Sequence, residues 1–347
     1  MTRYLSQINP KKQIRNPKRF VPLRFNHWNL FVICSLSFGI STPAFSQQNP
    51  YYTQFKPNSI MLNPGVTGTK RILDARMNYR KQWTGFTDAP VTKGFSLNGR
   101  VVGGTMGIGM SYFNDITGPT KRSNLSFAYS YHGKFDDVEL SVGAAFERLT
   151  YIVDGSKLHM HIPQDNAIDL AISQKKKATN ASAGAYFYND RFHLGLSLLN
   201  LLEPTINYYP EDDTVHKTKI HMVPHVYGSV GYNWSGNPDI IWENSLQVLY
   251  AQANPMTIDY NLRVHYKQKF FGGISIRLRD AIPIHVGATI MEQFHISYSY
   301  DIVISPLSTF QGGSHEIMLA WSSNIGMDKK NKYDTSRFKR QKYGFMF

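Results

Sequence analysis

Phe294-His295-Ile296-Ser297-Tyr298-Ser299-Tyr300-Asp301, a loop holding Pro306, Gly312 and Gly313, then Ile317, Leu319 and Trp321 between small or polar residues: this stretch decides the fold. Side chains in a strand alternate between two faces, so each arm has one apolar and one polar face. The apolar face is rich in Tyr, Ile and Trp, and the polar face is mostly small. Such a hairpin suits a wall with greasy surroundings on one side and water or packed small side chains on the other.

The same pattern recurs through the chain. About fourteen strands of roughly eight to twelve residues are predicted. They fall near 73–82, 91–101, 104–113, 124–131, 137–147, 180–189, 191–200, 222–234, 239–250, 256–266, 269–278, 283–290, 293–301 and 315–322. The third sets Met106, Ile108, Met110 and Tyr112 against Thr105, Gly107, Gly109 and Ser111. No stretch sustains a 3.6-residue period, so helices are expected to be short and confined to loops. Alternate connections are short (Gly133–Asp136, Asn189–Arg191, Lys267–Gln268), and the intervening ones are longer (Lys81–Val91, Asn114–Lys121, Leu149–Thr179, Leu201–His221). Outer-membrane barrels have short periplasmic turns and long external loops. The expected fold is therefore all-β, a transmembrane antiparallel β-barrel of about 14 strands over 73–322. The last strand pairs with the first, because backbone groups in a bilayer must be paired within a closed sheet. Tyr and Trp near strand ends, among them Tyr112, Tyr131, Trp234, Trp242, Tyr266 and Trp321, are placed for interfacial girdles. A soluble sandwich alternates in the same way, but it does not need so many long strands with aromatic ends.

The ends differ from this body. Residues 1–46 hold seven Lys or Arg and no acid, then an apolar run from Trp28 to Ile40, then Ser-Thr-Pro-Ala-Phe-Ser. That is a long basic leader, an apolar segment and a small-residue cleavage site between Ser46 and Gln47. The apolar run of about 13 residues falls short of the ~20 a spanning helix needs. The single cysteine, Cys34, lies in the leader, so a mature chain has no thiol chemistry. Of the net charge of +14, the leader carries +7 and the tail after Ser322 carries +5, which leaves +2 on the body. A pI of about 9.6 is then no argument for nucleic acid.

Residues 47–72 read as an irregular N-terminal arm or plug, in which Tyr51, Tyr52 and Phe55 mix with the turn formers Leu62-Asn63-Pro64-Gly65. Residues 323–347 form a basic tail expected on the periplasmic side. Lys329, Lys330, Lys332, Arg337, Phe338, Lys339, Arg340, Lys342 and Tyr343 are its candidate partner contacts. That tail either docks a partner, touches anionic lipid or is disordered.

No catalytic, cofactor or metal site stands out. His159 and His161 share a long loop without a third ligand at matching spacing. His221 and His225, four apart at a strand start, read as girdle or rim residues. Glu211-Asp212-Asp213 reads as a solvated loop tip before it reads as a Ca²⁺ site. Gly103, Gly104, Gly107 and Gly109 precede no helix, so they are small lumen positions and not a phosphate loop. In Ser314-His315-Glu316, neighbouring side chains alternate faces, so Ser314 and His315 cannot pair as nucleophile and base. An enzyme is not expected.

These residues carry a family likeness. Gln-Gln-Asn-Pro-Tyr-Tyr-Thr-Gln-Phe at 47–55, Leu62-Asn63-Pro64-Gly65 and Asn78-Tyr79-Arg80-Lys81-Gln82-Trp83 resemble the PorP/SprF family of type IX secretion system outer-membrane proteins. So do Gly107 to Tyr112 with Asn114-Asp115, Tyr129-Ser130-Tyr131-His132, Ser156-Lys157-Leu158, Tyr300-Asp301 and Gly313-Ser314-His315-Glu316-Ile317. The resemblance implies a barrel in the outer membrane of a Gram-negative bacterium that works with the type IX secretion and gliding machinery, with outer-membrane lipid around it. It implies assistance in export or surface anchoring of particular secreted proteins such as adhesins, and no cofactor. Its long leader, large 149–179 loop and extended tail depart from the family pattern. Both mature termini are expected on the periplasmic side, with one barrel per monomer. An uptake channel of the fatty-acid-transporter kind is the alternative, since fourteen strands leave a lumen that is either plugged or conducting.

Overall fold

The computed structural model describes residues 50–101, 104–157, 173–207, 219–237, 239–252, 255–291 and 293–326, all within the compact unit Phe45–Phe347. Alternating side chains produce the expected extended elements. They begin with β1 (Ile72–Lys81), β2 (Val91–Arg100), β3 (Met106–Thr117), β4 (Thr120–Phe135) and β5 (Val138–Asp154). Next come β6 (Ser173–Tyr188), β7 (Phe192–Leu199), the short β8 (Thr205–Asn207) and β9 (Lys219–His221), and β10 (His225–Asn237). The series ends with β11 (Ile240–Ala251), β12 (Thr257–Tyr266), β13 (Phe270–Arg277), β14 (Ala281–Ile290), β15 (Phe294–Val303) and β16 (Ser314–Gly326).

Fourteen of these strands close a single antiparallel barrel in chain order, and β8 pairs with β9 outside it. The seam is β1 on β16, with Met77 opposite Leu319 and Arg80 opposite Glu316. The fold class, the strand count and the closing pair are as the sequence indicates.

The faces are inverted relative to a soluble protein. In β15, His295, Ser297, Ser299 and Asp301 are buried inside, while Phe294, Ile296 and Tyr298 are exposed outside. Phe127, Tyr129, Leu196, Ile284 and Leu319 continue this outer apolar face around the wall. A continuous apolar exterior over a polar interior is the mark of a wall in hydrocarbon. Trp234 stands opposite Trp242, and Tyr266 lies near them on β12, so aromatics gather outside at the short-turn end.

Some boundaries differ from expectation. Strands β4, β5 and β6 run 16, 17 and 16 residues. Pairing continues to Thr117 opposite Thr120, so the expected long connection Asn114–Lys121 is a tight turn at Gly118-Pro119. These strands rise past their neighbours at the loop end. There Leu149, Tyr151, Ile206 and Met222 form a small apolar core with Val153, Ala178 and Ile220. Pairing between strands is favourable wherever both edges are satisfied, and the β8–β9 hairpin seals the inward face of the extension. The expected strand at 222–234 starts at His225, and β9 stands apart from it. His221 and His225 therefore do not share a strand. His221 accompanies Thr205 at 3.0 Å on the exposed small sheet, whereas His225 is 1% exposed inside the barrel, beside Asn200. The wall also continues to Gly326, into the segment expected to be tail.

The leader with Ser46 and Gln47, the His159/His161 pair, Glu211-Asp212-Asp213 and the tail residues from Lys329 to Tyr343 lie outside the described residues.

Candidate functional site: an arm threaded through the lumen

Residues 50–71 occupy the inside of the barrel. The Tyr51 hydroxyl donates to Asp259 at 3.2 Å, near the loop end of β12. At the other end Arg71 pairs with Glu139, the second residue of β5. Between these points the arm runs lengthwise. Pro50, the first described residue, lies in the loop-end half beside Phe113, Asn124, Glu147 and Leu199. Gly326, the last, lies at the short-turn end opposite Ile72. These two residues lie at opposite ends because the arm folds back from Ile72 up the lumen; the residues expected as mature termini, Gln47 and Phe347, lie outside the described residues.

Why the arm takes this path can be read residue by residue. Asn63 caps a single 3-10 turn at Pro64–Val66, accepting from the Gly65 amide with Pro64 at the first position. A capping Asn followed by Pro presets the turn. The turn then leans on the wall where the wall has no side chain. A Cβ built at Gly143 would overlap the Pro64 carbonyl, and one at Gly107 would overlap the Thr67 carbonyl. The glycines of β3 and β5 let backbone approach backbone. Of the glycines read as small lumen positions, Gly107 and Gly109 make this room for the arm in β3, Gly104 lies in the turn before that strand, and Gly103 is outside the described residues.

Arm and wall are joined by polar contacts throughout. The Thr53 amide donates to Glu316 at 2.7 Å, and its hydroxyl donates to Asp301 at 2.8 Å. Arg80 donates to the same hydroxyl at 2.6 Å, to Asp301 at 2.7 Å and to Glu316 at 3.3 Å. Arg277 donates to Thr53 at 3.2 Å and lies 4.3 Å from the centre of the Tyr51 ring. Gln54 receives a short hydrogen bond from Ser297 and donates to the Glu316 carbonyl at 3.4 Å.

Lower down, Lys56 pairs with Glu243 at 2.7 Å, and Asn58 bridges Asn78 and Ser96 at 2.8 and 2.7 Å. The Asn63 amide donates to the Ala185 carbonyl at 3.0 Å. The Thr67 carbonyl accepts from Ser130 at 2.7 Å, and Arg100 donates to the Gly68 carbonyl at 3.0 Å and to Glu139 at 3.0 Å. The buried Arg263 guanidinium lies over the Phe271 ring, whereas each charge in these arm–wall contacts meets an opposite charge or a hydrogen bond. That is the condition for keeping charges out of bulk water without a large penalty. Where the arm turns into β1, Lys70 pairs with Asp74 at 2.7 Å. Burial, with the Arg76 charge near it, pulls the Lys70 ammonium down to about 8, against the pull of Asp74.

The tempting run Ser314-His315-Glu316 is split by the wall. Ser314 points inward and accepts from the Trp83 amide at 3.2 Å. His315 points outward, 2.7 Å from the Tyr298 hydroxyl, while Glu316 holds the arm. That Glu316 is an anchor for the arm is not visible in the local sequence. The alternation had already placed Asp301 and Glu316 on the inner face. Their partners Arg80 and Thr53 are more than 220 residues away in the chain, which no local pattern can show. Among the described residues no cluster of three His, Cys, Asp or Glu side chains is arranged to hold a metal ion.

A profile of the family described as "Type IX secretion system membrane protein PorP/SprF" matches residues 44–321. No curated protein matches the chain. Among solved structures it is similar to a Pseudomonas aeruginosa FadL homologue, at 12% identity and TM-score 0.44 over 77% of this chain and 93% of that one. The CymD monoaromatic hydrocarbon channel matches at 9% identity and TM-score 0.44, over 77% and 91%. The Pseudomonas putida toluene transporter TodX matches at 8% identity and TM-score 0.42, over 80% and 95%.

Proposed function

Because the chain belongs to the PorP/SprF family of type IX secretion system membrane proteins, we propose that it is an outer-membrane partner barrel that assists export or surface anchoring of specific secreted proteins such as adhesins. It does so by presenting surfaces and not by passing cargo through its own lumen. The observation that carries this reading is the arm, which spans the lumen from Tyr51 at Asp259 to Arg71 at Glu139. A barrel whose interior is taken up by its own chain has its loops, rims and outer wall left for partners. The basic segment from Lys329 to Tyr343 is a candidate contact for the periplasmic part of the machinery. In this reading the loop end faces outward, the chain carries no enzymatic activity, and each monomer forms one barrel.

The test is deletion of the gene followed by quantitative profiling of proteins in the medium and on the cell surface. Loss of a small set of surface proteins, restored by the wild-type gene, is expected. Unchanged secretion of every protein overturns the reading.

A further inference from the structure

Most of the outer wall is uncharged, and the exception has a definite place. Register fixes which outward side chains share a rung around β1 to β6. Tyr79 stands opposite Lys93, Lys93 opposite Asn114, Asn114 opposite Ser123, Ser123 opposite Thr150 and Thr150 opposite Lys177. One rung farther toward the loops the series is Lys81, Val91, Ile116, Lys121, Ile152 and Lys175. One rung nearer the middle, Leu125 faces Arg148 and Arg148 faces Thr179, to which it donates a hydrogen bond at 2.7 Å.

These three rungs therefore carry six basic side chains, all exposed, and no Asp or Glu. Among the described residues none of the six forms an ion pair with a carboxylate. The nearest carboxylate farther out on that face, Asp154, accepts from Ser156 at 2.6 Å.

Depth gives the patch its meaning. Along β5 the outward residues before Arg148 are Val138, Leu140, Val142, Ala144 and Phe146, about 27 Å of strand at ~3.4 Å per residue and, at the roughly 40° tilt of barrel strands, about 21 Å of depth. On β5 the three rungs thus begin where the apolar run ends and reach about 10 Å of depth beyond it. That is the level of lipid headgroups, where long cationic side chains rest their stems on the wall and extend their charges. The other half of the barrel lacks this feature at the same end. There Val226 faces Tyr250, Val248 faces Ile258 and Ile282 faces Ile302.

We infer that the outward face of β1 to β6 at the loop end is a docking surface for the phosphates of lipid A, with Lys81, Lys93, Lys121, Arg148, Lys175 and Lys177 as its contacts. Lipid A offers phosphates on a sugar headgroup at the outer surface of the membrane, and ammonium and guanidinium groups bind phosphate by charge-assisted hydrogen bonds. One side of the barrel would then hold a fixed lipid collar while the opposite side is left for protein. The assignment rests on the outward orientation of the loop end proposed above.

The experiment compares the full-length protein with a Lys93→Gln, Lys121→Gln, Arg148→Gln, Lys177→Gln variant. Both are extracted from membranes in mild detergent, checked for heat-modifiable folded barrel, and analysed for bound lipid by native mass spectrometry. Wild type is expected to retain lipid A at least tenfold more than the variant. Added phosphorylated lipid A should displace the bound lipid, and dephosphorylated lipid A should not. Equal retention by the two proteins overturns the inference, and so does equal displacement by phosphatidylglycerol, which would make the surface generically anionophilic. Orientation is read separately in a Cys34→Ser background, by labelling Phe86→Cys or Asp136→Cys in intact cells with an impermeant maleimide. Labelling at 136 and not at 86 overturns the lipid A assignment while leaving the secretion phenotype to its own test.

Discussion

Arg80 on the first strand donates to Asp301 on the fifteenth at 2.7 Å, reaching across the intervening β16, where the same guanidinium meets Glu316. The arm's Thr53 hydroxyl sits in the middle of this group, accepting from Arg80 and donating to Asp301. Barrel closure and seating of the arm are thus one hydrogen-bonded unit. Arg80→Ala leaves two buried carboxylates without their shared cation, and breaking such a pair costs about 3–5 kcal/mol. The expected outcome is a lower urea midpoint for the heat-modifiable band, with earlier proteolytic release of residues 50–71. Arg80→Lys keeps the charge and loses the fork, so it should fall between the two.

Gly143 tests the seat of the arm without touching a charge. A side chain there overlaps the Pro64 carbonyl. Overpacking in a filled interior costs roughly 1–3 kcal/mol, and the arm can relieve it by leaving whereas the wall cannot. Gly143→Val is therefore expected to keep the barrel and to make residues 50–71 sensitive to protease. A variant that resists protease as wild type does would show that the arm does not depend on this contact.

The closing hairpin gives a test of face assignment. Leu319 is 49% exposed on the outer wall, so Leu319→Arg is expected to cost about 2–4 kcal/mol if it lies near the midplane. His315 also points outward, but at the loop end, where it meets the Tyr298 hydroxyl. His315→Ala loses one hydrogen bond, about 1 kcal/mol or less. Folded fraction after refolding into lipid separates the two, and comparable losses would contradict the assignment.

These contrasts show where the fold was legible. A barrel wall repeats every two residues, and one face must be apolar, so strands, parity and the β1–β16 closure could be read from Met77, Tyr79, Ile317 and Leu319 directly. The short turn at Lys267 and Gln268 is legible from its spacing alone, since neither is a usual turn former; their φ values of 49° and 56° are imposed by the strands they join. The lengths of β4 to β6 were missed because outside the hydrocarbon both faces become polar and the period-two contrast fades. The lumen was the least legible part. An irregular arm has no period, and its partners are set by which positions on distant strands happen to share a depth. The clue in the sequence was chemical: Asn78, Arg80, Asp301 and Glu316 crowd one inner face, where they pair with one another and keep further hydrogen-bonding capacity that the arm fills through Thr53 and Asn58.

Lys70 gives the base of the arm a pH dependence. Its ammonium is held at about 8 in the folded protein, mainly by burial, below its ordinary 10.5. The burial penalty on the charged form is in full force below pH 8. Between pH 8 and 10.5 the unfolded chain binds more protons than the folded one, so stability from this residue rises with pH. The gain in urea midpoint from pH 7 to pH 9.5 is expected to be larger for wild type than for Lys70→Met. An equal gain would place the titration elsewhere.

Removing residues 51–66 asks what the lumen is for. The wall keeps its own ion pairs without the arm: Arg80 with Asp301 and Glu316, and Arg277 with Asp259 and Asp301. Glu243 loses Lys56 but retains His265 at 2.8 Å. The barrel is therefore expected to fold with reduced stability and with a polar, hydrated interior. In planar bilayers the wild-type protein should pass no steady ion current, and the shortened protein should show discrete conducting steps. If wild type conducts as freely as the shortened chain, the arm is not the barrier, and transport of solutes through the lumen becomes the better account of the fold.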